Sequence, residues 1–251
     1  MPPGAAEQSP GRGTYPGGMS PAEIHHQHRD VSGGWLRPAV FGVMDGLVST
    51  FALIAGVAGG GVTGRTVALA GLAGLVAGAF SMATGEYTSV ATQSELTRAE
   101  IAVERTELTA RPAAEQAELA ALYQARGVEP DLARQVAEQL SRDPELAWRI
   151  HAREELGVDP DALPNPWTAA GSSFASFTVG GALPVLPYVL GTDSLAAASV
   201  LAAVGLFAAG ALTARFTDRP WIYTGLRQLL LGGAAAAVTF AIGAAIGTSV
   251  S

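Results

Sequence analysis

Five stretches of this chain stay apolar for twenty residues or more, and between the second and third lies a block where charge returns every few positions. The stretches are Pro38 to Val62, Thr66 to Ala91, Trp167 to Leu190, Leu195 to Ala214 and Gln228 to Val250. A helix of about 20 apolar residues matches the hydrocarbon core of a bilayer. The pattern predicts an all-α membrane protein with five transmembrane helices and a helical domain between spans two and three. The boundaries are 1–34 for an amino-terminal tail, 35–91 for spans one and two, 92–166 for the polar domain and 167–251 for spans three to five.

Inside the polar block, Ser94 to Thr109 and Ala113 to Gln124 read as helices punctuated by Arg111-Pro112, because proline suits a first turn but not an interior. Asp131 to Leu140 and Pro144 to Leu156 read as two more, the last closed by Gly157. Nothing between Tyr87 and Ser94 breaks a helix, so the second span is expected to run on into the polar block. Pro184 and Pro187 should kink or end the third span and free carbonyls that need other partners. Gly42 and Gly46, Gly56 and Gly60, and Gly71, Gly74 and Gly78 stand at spacings that let helices approach closely. They serve either packing within one subunit or a dimer seam.

Composition sharpens this picture in three ways. With 49% hydrophobic residues and 31 glycines the chain is too apolar for an ordinary soluble domain. It has no cysteine, which excludes disulfides, thiolate metal sites and cysteine nucleophiles, so a metal would need oxygen, imidazole or thioether ligands. Its net charge of -7 is uneven, since fifteen of the 22 acidic residues fall between Ala91 and Pro166. So acidic a surface repels phosphates, which excludes nucleic acid and makes a cation the natural partner.

The first thirty residues are rich in Gly, Pro, Ser and His without an apolar core, so they read as a disordered tail and not as a signal peptide. His25, His26 and His28 in that tail are candidate metal scavengers. Arginine placement sets the orientation, because positive loops stay in the cytoplasm. The tail, the acidic block and the loop with Arg215, Arg219 and Arg227 share one side, and the opposite loops hold only Arg65. The expected arrangement is amino terminus and acidic domain cytoplasmic, carboxyl terminus outside, in a bacterial plasma membrane.

Two acids stand within the apolar stretches, Asp45 in FGVMDGLVSTFALIAGVAGG and Glu86 in GLVAGAFSMATGEYTSVA. An ionisable group at bilayer depth costs about 3 kcal/mol on insertion scales, so it is usually kept to move or bind charge. Each can also carry a proton. Glu86, Gln93, Glu100, Glu104 and Glu107 are separated by seven, seven, four and three residues, which aligns them on one helix face. That face is a row of oxygen ligands leading to a pore. Glu104 with Glu107, and Glu115 with Glu118, are i, i+3 pairs able to converge on one divalent ion if two helices face each other. Met82, one turn before Glu86, adds a soft sulfur that suits ferrous iron or manganese better than calcium or magnesium. His151 and Glu155 share a helix face at a chelating spacing. A solvated face for the glutamates, core packing for Met82 and an ordinary surface position for His151 are the alternatives.

In these motifs the chain resembles the vacuolar iron transporter family of five-span metal exporters. The resemblance rests on FGVMDGLVSTFALIAGV, AGAFSMATGEYTSVATQSE, the Glu-rich helices ending in REELGV, and GGALPVLPYVL. It implies export of ferrous iron or manganese from the cytosol in exchange for protons, a homodimer, and a cytoplasmic domain that gathers metal. By position it assigns the path to Asp45 and Met82 and the gathering site to Glu104, Glu107, Glu115, Glu118 and Glu155. Plant members carry an acid two turns before the methionine, where this chain has Gly74, so either Glu86 takes over that charge or the proton coupling differs. Paired methionines of the plant domain correspond here to His151 and Ala152.

The reading is therefore a proton-coupled exporter in which Glu100, Glu104, Glu107, Glu115, Glu118, His151 and Glu155 collect metal and Asp45, Met82 and Glu86 pass it across. Metal and protons are cargo, and no enzymatic activity or cofactor is expected. No nucleotide-binding Gly-Lys motif is present to supply energy otherwise. The rival is a metal-sensing membrane scaffold that moves nothing and would leave Asp45 and Glu86 dispensable. A di-metal oxidase would need paired Glu-x-x-His ligands that the sequence lacks.

Overall fold

The computed structural model describes residues 34–250, and every regular element among them is helical. In chain order these are α1 (Leu36–Gly59), α2 (Gly64–Ala110), α3 (Pro112–Ala125), α4 (Pro130–Leu140), α5 (Pro144–Glu154), α6 (Pro166–Val189), α7 (Leu195–Thr213) and α8 (Trp221–Val250). A 3₁₀ turn at Ala214–Phe216 joins the last two. Helices α1, α2, α6, α7 and α8 are long and apolar enough to cross a bilayer, which makes this an integral membrane protein. The expected tail, including His25, His26 and His28, lies outside the described residues but for Gly34.

Local sequence explains where the helices begin. Four of them open on proline, whose fixed φ suits the first turn and whose missing N–H is not needed there. Before three of these prolines an acid or amide caps the end: Glu129 accepts from the N–H groups of Asp131 and Leu132, Asp143 from Glu145, and Asn165 from Trp167 and Thr168. Thr63 and Ser194 do the same for α2 and α7. With neither proline nor glycine between Tyr87 and Ser94, α2 continues for 47 residues as one rod, about 70 Å long.

Helix α1 is the hub of the membrane bundle, packed against α2, α6, α7 and α8. Its glycines permit this. A Cβ on Gly46 would strike the Phe177 carbonyl of α6 and come within 2.9 Å of the Gly181 amide. Gly56 lies so close to Gly243 of α8 that a Cβ on the latter would strike the Gly56 carbonyl. Gly71, Gly74 and Gly78 likewise meet Ile54, Leu53 and Phe177. The glycine stripes thus join helices within one subunit. At the other end of α2, Ile101 packs with Trp148 and Ala152 of α5, while Leu119 and Ala120 of α3 pack with Ala137 of α4.

Two expectations change. Pro184 and Pro187 do not end the third span: α6 runs through both to Val189, where each is buried among neighbouring helices that shield the freed backbone. Arg227 is not in a loop, because α8 starts at Trp221, seven residues before the apolar stretch. The segment after Pro220 is polar enough to fail a hydropathy reading but contains no further proline, so the helix begins there.

Candidate metal centre

Three helices bring four of the expected ligands together. Glu104 comes from α2, Glu115 from the first turn of α3, and His151 and Glu155 from the end of α5. Each offers one ligand atom, and these atoms lie within 4.8 Å of one another. Ligands held at about 2.1 Å around one ion sit roughly 3 to 4.2 Å apart, so the group needs to contract by less than about 1 Å to close on a metal.

His151 sits at the centre with no exposed surface. Its Nδ1 lies 2.7 Å from Glu155 Oε1, 3.0 Å from Glu104 Oε1 and 3.9 Å from Glu115 Oε2. Glu104 Oε1 and the far ring nitrogen, Nε2, are buried with no hydrogen-bond partner among the described residues. A largely buried cluster of three carboxylates and one imidazole with lone pairs left unpaired is costly without a cation and is the donor set a divalent transition metal takes. Burial raises the pKa of Glu104 first, and the neighbouring carboxylate of Glu155 adds to it; His151 opposes this. Glu115 is raised by burial and by Glu118. Without a metal ion, Glu104 and Glu115 are therefore biased toward their protonated forms, and a metal would displace those protons.

The scaffold around the cluster is built from ordinary contacts. Arg126 at the end of α3 pairs with Glu154 of α5, which Tyr123 Oη also approaches at 3.4 Å. Arg105 stacks over the Trp148 ring at 3.9 Å. After α5, Arg149 binds Asp161 at 2.8 Å and Arg153 binds Asp159 at 3.0 Å, folding the connection to α6 back on the helix. Asp159 is held below the usual carboxylate range by that hydrogen bond from Arg153.

The remaining glutamates stay outside. Glu107 pairs with Arg111 at 3.4 Å, Glu118 is exposed but close enough to repel Glu104 and Glu115, and Glu100 faces solvent. One member of each i, i+3 pair turns inward and the other does not.

About 33 Å along α2 from Glu104, Met82 lines a second site. A cavity of about 210 Å³ is bounded by Asp45, Ser49, Thr50 and Leu53 of α1, Gly74, Gly78, Ser81 and Met82 of α2, and Phe177 of α6. Asp45 and Met82 thus share one chamber. Leu53 occupies the space a side chain at position 74 would need. Glu86 does not line the chamber; its neighbour Tyr87 packs at a tilt against Trp167, in the first turn of α6, with ring centroids 4.7 Å apart. Glu86 is half-buried, next to that aromatic pair. Sequence reasoning missed Ser49, Thr50, Ser81 and Phe177, because hydroxyls and a phenylalanine within apolar spans carry no signal above packing.

Comparison with known proteins follows the same outline. The model of the VIT family matches residues 36–244. A protein from Acanthamoeba castellanii named vacuolar iron transporter is 37% identical over 233 residues, covering 90% of this chain and 85% of its own length. Vacuolar iron transporter 1 of Oryza sativa is 32% identical over 236 residues, 89% of this chain and 91% of its own. Vacuolar iron transporter 1 of Arabidopsis thaliana is 31% identical over 225 residues, 87% and 89%.

Proposed function

The chain belongs to the VIT family, and on that premise we propose that it carries ferrous iron or manganese out of the cytosol across its membrane in exchange for protons. The observation that carries the reading is the cluster of Glu104, Glu115, His151 and Glu155, whose Glu104 stands on the same unbroken helix as Met82, which lines a chamber with Asp45. Ions collect at the cluster, with Glu100, Glu107 and Glu118 as an outer field of negative charge, and pass Glu86 to the Asp45 chamber. Protons carried by Asp45 and by the cluster move the other way. The helices α3 to α5 face the cytoplasm in this reading, because the loops on their side hold the arginines. The working unit is a homodimer, a reading that rests on family membership and not on the glycine stripes, which the subunit's own helices consume.

Metal uptake into proteoliposomes loaded with a pH dye tests this. Manganese entry should drive proton exit, and Asp45→Ala should stop both while leaving metal binding at the cluster intact. Normal flux through Asp45→Ala would sink the path. Binding without any flux in the unmodified protein would favour the sensing scaffold instead.

A further inference from the structure

The Asp45 chamber holds a hydroxyl that nothing in the fold employs. Thr50 lines the chamber and is 2% exposed, yet its Oγ1 has no hydrogen-bond partner among the described residues. A helical Ser or Thr usually donates to the carbonyl three or four residues back. Ser49 does so to Asp45 at 2.6 Å, Thr178 to Phe174 at 2.7 Å, and Thr239 to Ala235 at 3.1 Å. Thr50 does not. A buried hydroxyl without a partner is destabilising, and valine would fill the same volume without that cost.

The cargo supplies a reason for keeping it. Asp45 and Met82 are the strong donors in the chamber wall, one hard carboxylate and one soft thioether. A first-row divalent ion takes about four to six ligands, so two leave it short. The hydroxyl oxygen of Thr50 is a further hard donor with free lone pairs. On its far side the hydroxyl packs against α6, so closely that a Cβ on Gly181 would lie 2.7 Å from Thr50 Oγ1.

Building on the transport reading above, we infer that Thr50 is a specificity-determining residue: its hydroxyl coordinates the ion passing Asp45 and Met82 and biases the chamber toward hard divalent ions. Manganese is the hard probe and cadmium the soft one. Uptake of each by proteoliposomes is measured for the unmodified protein, Thr50→Val, Thr50→Ser, Thr50→Cys and Asp45→Ala, alongside thermal unfolding. Thr50→Val should raise the manganese KM about tenfold, lower the manganese-to-cadmium ratio, and leave Tm unchanged or higher. Thr50→Ser should restore the ratio. Thr50→Cys, which puts a thiol where the hydroxyl was, should turn preference toward cadmium, and it stands in should Thr50→Val fail to fold. An unchanged ratio in Thr50→Val or Thr50→Cys overturns the assignment, as does equal loss of both ions with a lower Tm. Normal flux through Asp45→Ala overturns the transport reading itself, so the two failures are told apart.

Discussion

Replacing Glu104 by glutamine should make the metal-free protein more stable and its metal-bound form less so. The carboxylate lies within 4.8 Å of ligand oxygens of both Glu115 and Glu155. Two like charges at that separation repel by about 3.5 kcal/mol at an effective dielectric of 20. Bound protons and His151 offset most of this in the empty cluster, and a neutral amide removes what is left, on the order of 1 kcal/mol. For a chain of this size that is a rise in Tm of about 2 to 4 °C. With metal the sign reverses, because one of three carboxylate ligands is gone and affinity should fall at least about tenfold. The stabilisation by saturating manganese then shrinks by about 1.4 kcal/mol. Thermal unfolding of detergent-solubilised protein, with and without manganese, reads both effects from the same samples. A lower Tm for metal-free Glu104→Gln, or an undiminished manganese increment, would show that these carboxylates neither crowd one another nor share an ion.

The same cluster sets a pH dependence. Because the pKa values of Glu104 and Glu115 are raised, the folded chain holds protons that the unfolded chain has released above the ordinary glutamate range. Stability of the metal-free protein should therefore fall as pH rises through that window, and the slope should flatten in Glu104→Gln. Gly46→Ala should cost about 1 to 3 kcal/mol or prevent folding, because the new Cβ meets backbone of α6 on two sides, which a Tm measurement will register. Gly85→Ala meets nothing within 4 Å and lies mid-helix, so it should gain about 0.5 to 1 kcal/mol. Arg149→Ala loses an exposed pair to Asp161 and should change stability by under about 1 kcal/mol in the same assay.

The spans were readable because nothing in them competes with the apolar signal, and the short helices because proline and a capping side chain stand at their starts. The metal cluster was readable in its membership but not in its choice among neighbours. Glu104 follows Ile101 by three residues and Glu115 precedes Leu119 by four, and both hydrophobic partners are buried, so these two glutamates are carried inward. Glu107 and Glu118 lie about 60° further round their helices, a difference that only packing against α5 converts into inside and outside. Glu86 was harder to place. A hydropathy window around it stays apolar like that around Asp45, and only the packing shows that Asp45 lines the chamber and Glu86 does not. Thr50 and Thr178 look alike in sequence, and only the hydrogen bond that one makes and the other lacks separates them.

The unbroken length of α2 also has a mechanical meaning. With Met82 toward its middle and Glu104 about 33 Å away near its end, the helix is a lever with no hinge between its working points. A tilt of about 5° at the chamber would swing the cluster end by roughly 3 Å, more than the contraction needed to grip or release an ion. Opening at one site and closing at the other would then be a single motion of one rigid bar, timed together without any signal passing between them.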